Sequence, residues 1–216
     1  MKSVITALCV FAICGSASAA ALYSQPDNTP GTGGFFSVGG PGQFFTQRMA
    51  DDFTIAGGTA TTLRWWGSSQ NFQFADLTNI TGFDVAIYGD LGGVPDAGNV
   101  IYHSQPAKAG LTITPTGNLS VANAIQYQFD LNIAPLNLAG GKYWFSVGGL
   151  LSNNFGDTFV WNVSSTGNSA NASFFYPNSG WIAFSPSSNM AFEIIPAPGA
   201  SVPLGMGMLV AGRRRR

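Results

Sequence analysis

Charged side chains are so scarce in this chain that they limit the folds open to it. Asp, Glu, Lys and Arg make up 9% of the 216 residues, whereas about 25% is usual in soluble domains. Glu193 is the only glutamate. Because helices draw mainly on Glu, Lys, Arg and Leu, the chain lacks the usual material for helical surfaces. Its many Gly, Thr and aromatic residues favour a β-rich fold with an uncharged polar surface.

Apolar and polar residues alternate with a period of two in several short segments. Segments 83–88, 125–131, 143–147 and 159–163 place apolar side chains on one face and mostly polar ones on the other, as half-buried strands do. Turn-forming residues separate about ten such segments. The pattern predicts an all-β domain, an antiparallel β-sandwich or jelly roll.

The N-terminus has the three parts of an export signal. Lys2 is positive, the stretch 4–14 is apolar, and Ala17-Ser18-Ala19 fits the small-residue cleavage rule. The apolar stretch is too short for a bilayer core of about 30 Å. We expect residues 1–19 to be a signal peptide containing a short helix.

Both cysteines, Cys9 and Cys14, lie inside that leader. The mature chain is therefore expected to lack disulfides, thiolate nucleophiles and cysteine-based metal sites. An exported domain without disulfides has to be held together by core burial.

Composition divides the rest of the chain into three parts. Residues 20–42 are rich in Gly, Pro and Ser and predict a flexible lead-in segment. Residues 43–195 carry the alternating segments and are long enough for one β-sandwich domain with a sizeable core. Residues 196–216 form a tail of different composition.

The body of the chain is acidic. Between the leader and the tail, ten Asp or Glu residues stand against four Lys or Arg residues, a net charge near −6. Nucleic-acid binding needs a basic face that releases counterions. The composition therefore excludes nucleic acid as a partner.

The tail combines a proline motif, an apolar stretch and a basic end. Pro196-Ala197-Pro198-Gly199 precedes the apolar residues 200–212, which end at Arg213-Arg214-Arg215-Arg216. As a helix the apolar stretch would rise about 20 Å, less than the roughly 30 Å of a bilayer core. We expect a short apolar helix that contacts the membrane transiently, with the arginines on the cytoplasmic side.

This tail resembles the PEP-CTERM sorting signal of Gram-negative bacteria. That signal has a Pro-Glu-Pro-type motif, a short apolar helix and a basic terminus, which an exosortase recognises. Here Ala197 replaces the acidic residue of the motif. The resemblance implies processing by an exosortase-like enzyme and a location in the cell envelope, on the outer surface or in the extracellular matrix. Such proteins often occur alongside exopolysaccharide and biofilm systems.

The body is also similar to the β-sandwich domains that many proteins with this signal carry. The similarity rests on residues 50–54 (ADDFT), 63–67 (LRWWG), 83–88 (FDVAIY) and 92–95 (GGVP). Most members of this group have no defined activity, so the resemblance implies a location more than a reaction.

Residue types that support catalysis are few. His103 is the only histidine, and no nucleophile-elbow spacing lies near it. Zinc needs several His or Cys ligands, so zinc is not expected. Asp51 and Asp52 are adjacent and on a strand would point to opposite faces, so they are not the facing carboxylate pair of a glycosidase. We expect a non-catalytic protein.

Calcium is the one cofactor that the sequence leaves open. The stretch 89–99 is rich in Gly, Pro and Asp and is expected to be a loop. Asp90 and Asp96, with Asp84 nearby, would supply the carboxylate oxygens that calcium prefers. Turn formation explains the same residues equally well.

Two tryptophans point to carbohydrate binding. Trp66 and Trp144 lie on the faces opposite the apolar residues of their strands, and they share those faces with Arg64 and Lys142 respectively. Sugar rings stack on aromatic rings while sugar hydroxyls bond to polar side chains. The alternative is that both tryptophans are covered and belong to the core, as Trp usually does.

The sequence as a whole predicts an exported, non-catalytic envelope or matrix protein that binds polysaccharide. One alternative is a structural surface protein that associates with copies of itself. A less favoured alternative is a hydrolase that uses aspartate carboxylates.

Overall fold

The structure is a computed structural model. The expected signal peptide, with its helix, lies outside the residues that it describes, and so does the tail beyond Ala197. No helix in the described part is both long enough and apolar enough to span a membrane. The described residues are 20–27, 33–40, 47–70, 77–120, 123–152, 158–168, 170–175, 180–184 and 188–197.

Almost all of the regular structure in these residues is β-strand. A single turn of 3₁₀ helix occupies Lys108–Gly110. The strands are β1 (Tyr23–Gln25), β2 (Gly34–Phe36), β3 (Gln47–Ile55), β4 (Gly58–Gln70), β5 (Ile80–Asp90), β6 (Pro95–Ser104), β7 (Thr112–Leu119), β8 (Ile125–Leu138), β9 (Gly141–Leu151), β10 (Thr158–Ser164), β11 (Asn171–Phe175), β12 (Trp181–Ala183), β13 (Asn189–Met190) and β14 (Phe192–Pro196).

The strands form two sheets, named here after one strand of each. The β3 sheet has the order β12-β11-β3-β9-β5-β6. In the β4 sheet, β7 and β8 lie on one side of β4, and the other side of β4 pairs first with β14 and then with β10. β1 flanks β14, whereas β2 and β13 flank β10. The named strands pair antiparallel. The fold is all-β, and its two antiparallel sheets are consistent with the expected β-sandwich.

Aromatic side chains fill the space between the two sheets. Trp65 stacks on Phe129 with ring centroids 5.6 Å apart, and Phe83 meets both rings edge-on. Phe83, Val85 and Ile87 of β5 are all fully buried, as their alternation predicts. Each such aromatic contributes roughly 3–5 kcal/mol to stability when compared with alanine, which explains how the domain holds together without disulfides.

Part of the expected flexible lead-in belongs to the sandwich. Tyr23–Gln25 is β1, paired with β14, and Gly34–Phe36 is β2, paired with β10. The ring of Tyr23 packs on Phe53 and Phe192. Each of these strands has only three residues, which is too few for an alternating pattern to be recognised in the sequence.

The expected loop over 89–99 is mostly strand. β5 runs to Asp90, β6 begins at Pro95, and these two residues are paired. Gly92 and Gly93 have φ values of +62° and +98°, and these positive angles let a short reversal join the strands. β7 is a further strand that the sequence pattern did not indicate, since it lies beside β8 alone and carries alternating threonines rather than a full apolar face.

One carboxyl group sits inside the sandwich and ties the two sheets together. Asp51 of β3 is fully buried, and its Oδ2 accepts hydrogen bonds of 2.6 Å from Gln25 Nε2 and from the backbone N–H of Met190. Tyr23 donates to Gln25 Oε1 at 2.5 Å and extends the network. Burial raises the pKa of Asp51 well above its usual range, and the charge of Asp52 adds to that rise.

Replacing Asp51 with Asn should remove a component of the pH dependence of stability. A carboxyl whose pKa is raised by folding stabilises the protein below its unfolded pKa of about 3.9, and this contribution declines as the pH rises toward the folded value. The amide in D51N cannot ionise, although the substitution alters the 3.0 Å bond that the Asp52 N–H donates to Oδ1. Urea unfolding from acidic to mildly alkaline pH should therefore show a wild-type decline that D51N lacks.

The matched control is Asp96→Asn, because Asp96 is outside the core and its Oδ1 accepts a hydrogen bond from the Gly98 N–H of the same strand. If the free energy of unfolding declined with pH in D51N as it does in the wild type, this role for Asp51 would be contradicted.

Candidate functional site

The central strands of the β3 sheet are buried on both of their faces. Residues 48–53 of β3, 82–87 of β5 and 144–149 of β9 are buried without interruption. The inner face packs on the core, and over the outer face β12 reaches from one edge of the sheet toward β6 at the other. Trp181 of β12 packs on Tyr88 of β5 with ring centroids 5.7 Å apart. The outer face is therefore an enclosed layer in which polar groups need internal partners.

A buried ion pair lies at the centre of this layer. Arg48 Nη1 and Asp84 Oδ1 are 2.6 Å apart, and both side chains are only 6% exposed. Arg48 Nε donates to Ser146 Oγ at 2.8 Å, and Ser146 donates in turn to the Met49 carbonyl at 2.7 Å. The serine hydroxyl is thus occupied by structural bonds.

His103 is at the exposed edge of the same cluster. Its Nε2 lies 3.3 Å from Asp84 Oδ2, which also accepts a 2.6 Å bond from Gln105 Nε2. Burial alone would raise the pKa of Asp84, but the charge of Arg48 and the hydrogen bonds outweigh it and hold the pKa below its usual value. Within the described residues, the cluster joins His103 to Asp84, and no serine is hydrogen-bonded to either of them.

Next to the ion pair, the same face carries a mixed aromatic and polar site. Trp144 is 1% exposed and forms its floor, and Tyr88, Val94 and Trp181 pack around it while partly buried. We call this group, together with the neighbouring Asp52, Asp90 and Lys142, the β5–β9 site.

The polar half of the β5–β9 site is built around Lys142. Its Nζ lies 2.9 Å from Asp52 Oδ2, 3.6 Å from Asp90 Oδ1 and 5.1 Å from the centre of the Trp144 ring. Trp144 Nε1 donates to Asp90 Oδ1 at 2.7 Å. Burial alone would lower the pKa of Lys142, but the two carboxylates raise it, so the side chain is a cation.

One acceptor in the site lacks a partner. Asp52 is 2% exposed, and its Oδ2 accepts bonds from Lys142 and, at 2.9 Å, from Asn168 Nδ2. Its Oδ1 is buried and makes no hydrogen bond. A buried acceptor without a donor is costly and marks a place where a further group is expected.

The structure separates the four residues expected to bind glycan. Lys142 and Trp144 lie in the β3 sheet, whereas Arg64 and Trp66 lie in the β4 sheet, so the four do not form one site. Trp66 is 7% exposed and Trp144 is 1% exposed. As the core alternative stated, neither ring offers a face for stacking, because burial covers each one on the outer side of its sheet.

Arg64 is engaged by two carboxylates. Its Nε and Nη2 bond to Asp130 at 2.6 and 3.1 Å, and its Nη1 bonds to Glu193 Oε2 at 3.1 Å. These bonds link β8, β4 and β14 across the outer face of the β4 sheet. Arg64 therefore connects strands and has little capacity left for a ligand.

The three aspartates considered for calcium have separate partners. Asp84 is paired with Arg48, Asp90 accepts from Trp144, and Asp96 Oδ1 accepts from the Gly98 N–H at 2.9 Å. Within the described residues, no group of three or more His, Cys, Asp or Glu side chains is placed to hold a metal. Asp96 lies in β6, and its carboxylate bonds to the backbone of the same strand.

The residues that sequence reasoning missed are Asp52, Tyr88 and Trp181. Asp52 was weighed only as half of a carboxylate pair with Asp51. Alternation puts Tyr88 on the face of its strand opposite Phe83, Val85 and Ile87, but nothing in the sequence shows what lies beside it. Trp181 belongs to a three-residue strand, and only the curl of the β3 sheet brings it to Tyr88.

Comparisons of the chain with known protein families, with curated proteins and with solved structures gave no match.

Breaking the buried ion pair should be far more costly than breaking the exposed one. Arg48→Met leaves the Asp84 carboxylate buried without its cation, for which a loss of about 3–5 kcal/mol is typical. Arg64→Met removes a cation that is 28% exposed, where about 1 kcal/mol or less is expected. Urea unfolding of both variants measures the difference.

A second variant separates the pair from its surroundings. Arg48→Met combined with Asp84→Leu removes both charges and should recover much of the loss. Equal losses in R48M and R64M would contradict a buried, internally neutralised layer.

Proposed function

We propose that the protein is an exported, non-catalytic component of the cell envelope or extracellular matrix that binds polysaccharide through the β5–β9 site. The observation that carries this proposal is the pairing of partly exposed aromatic rings, Tyr88 and Trp181, with the polar group of Asp52, Lys142 and Asp90. Ligand sites characteristically combine apolar walls with a few polar groups that fix orientation.

The two halves of the site match the two kinds of surface on a sugar. The C–H face of a pyranose ring packs on an aromatic ring, and Trp181 and Tyr88 support each other at an interplanar angle of 63°. Sugar hydroxyls donate to carboxylates and accept from an ammonium group, both of which lie beside Trp144. Trp144 serves as the floor, since its Nε1 fixes Asp90 and its ring lies under Lys142.

The ends of the chain support the proposed location. Residues 1–19 resemble a signal peptide, and Pro196-Ala197-Pro198-Gly199 with Arg213-Arg214-Arg215-Arg216 resembles a PEP-CTERM signal. Pro196 is the last residue of β14 and is buried against β4. Processing by an exosortase-like enzyme would therefore act after Pro196, where the chain has left the sheet.

A second candidate function is self-association as a structural surface protein. Leu119 and Ile125 face each other across β7 and β8 and are 49% and 39% exposed. An exposed apolar pair beside a strand at the edge of its sheet is a place where two copies can meet.

Trp181→Ala should abolish most of the glycan binding while leaving the fold intact. The ring lies on the rim of the site and packs on partly buried neighbours and the floor, so its removal should cost affinity rather than folding. Loss of an aromatic contact that dominates an interface usually costs more than about 1.4 kcal/mol of binding free energy, a factor of ten in affinity. The measurement is a glycan array followed by titration calorimetry with the mature protein.

Ile182→Ala is the matched control, because Ile182 is the next residue of β12 and is 47% exposed. It should bind like the wild type. Trp66→Ala and Trp144→Ala are unsuitable, since both remove buried rings and would destabilise the domain. A folded wild-type protein that binds no glycan would end the binding proposal.

Self-association has its own test. If it is the function, sedimentation velocity should show oligomers that grow with concentration, and Leu119→Ser with Ile125→Ser should return the protein to monomer. A wild-type monomer at all concentrations would contradict it.

A further inference from the structure

We infer that the polysaccharide held by the β5–β9 site carries free amino groups, as a deacetylated amino sugar does. This inference rests on the proposed function and adds the class of sugar. It follows from the charge of the site, from an unpartnered acceptor within it, and from the state of the other cations in the described residues.

The site holds more negative charge than positive. Asp52 and Asp90 stand against Lys142 alone, which lies within 3.6 Å of both carboxylates. An ammonium group entering beside Asp90, which is 26% exposed, would bring the site to neutrality. A carboxylate or sulfate entering there would add to the excess, in a partly buried place where screening is weak.

The unpartnered oxygen calls for a donor. Asp52 Oδ1 is buried and makes no hydrogen bond, and the Asp52 side chain is only 2% exposed. Of the groups found on sugars, an ammonium, a hydroxyl or an acetamido N–H can donate to it, whereas a carboxylate cannot. A charge-assisted bond from an ammonium is the strongest of the three.

An acidic polysaccharide needs cations, and the other described Lys and Arg side chains are already engaged by groups of the protein. Arg48 is paired with Asp84, and Arg64 is paired with Asp130 and Glu193. Lys108 donates to the carbonyl of Leu77 at 2.7 Å. The excess of acid over base in the body repels polyanions at longer range.

The test compares three oligosaccharides of equal length by titration calorimetry with the mature protein. The probes are a β-1,4-linked glucosamine oligomer, its fully N-acetylated counterpart, and an oligogalacturonate. In mildly acidic buffer the glucosamine oligomer should bind at least about tenfold more tightly than the N-acetylated one. Added salt should weaken this difference, and the galacturonate should not bind.

Asp90→Asn identifies the carboxylate responsible. The amide oxygen can still accept from Trp144 Nε1, so the floor of the site is kept while one negative charge is removed. Affinity for the glucosamine oligomer should fall about fivefold or more, with little change for the N-acetylated one. Asp130→Asn is the matched control, because it removes one charge from the outer face of the β4 sheet and should leave both affinities unchanged.

The outcomes separate this inference from the proposal beneath it. Equal or tighter binding of the N-acetylated oligomer or of the galacturonate, lost in W181A, would overturn the amino-sugar inference and leave the polysaccharide site standing. Binding of none of the probes nor of any glycan on the array would overturn both. Equal losses in D90N and D130N would show a general effect of net charge and would overturn the assignment to this site.

Discussion

The constraint on which the structure depends is the burial of the central strands of the β3 sheet on both faces. An ordinary sandwich buries one face of each sheet and leaves the other to water. Here β3, β5 and β9 are covered outside as well as inside, so the polar groups buried on the outer face need partners within the protein. Arg48, Asp84 and Ser146 satisfy one another in this way.

The few charged residues of the chain are placed to meet this need for internal partners. A chain with 9% charged residues has few ions to place, and the described arginines are all used to join strands. Arg48 joins β3 to β5, while Arg64 joins β4 to β8 and β14. On the inner face, Asp51 joins the two sheets by accepting hydrogen bonds from Gln25 and Met190, and burial raises the pKa of its carboxyl group. At Lys142 the neutralisation is incomplete, which is why the β5–β9 site stands out chemically.

The sequence pattern predicted the class of fold but not what covers each face. Alternation at 83–87 depends only on the pleat of a strand, so the inner positions of Phe83 and Ile87 could be assigned correctly. The same alternation placed Trp144 on the outer face but could not show that β12 and Trp181 close over it. Strands with little apolar content, such as β7, and glycine-rich stretches with bulges, such as β6, resemble loops in sequence. The candidate site was therefore half predictable, because the pattern placed Lys142 on the strand of Trp144 but gave no sign that Trp181 lies beside them.

The arrangement of the sheets keeps the two proposed roles of the protein apart. The proposed sorting tail follows β14, which belongs to the β4 sheet, whereas the β5–β9 site lies on the outer face of the β3 sheet. The core and its aromatic layer separate these surfaces. Processing after Pro196 would therefore remove no residue that the proposed glycan-binding site uses.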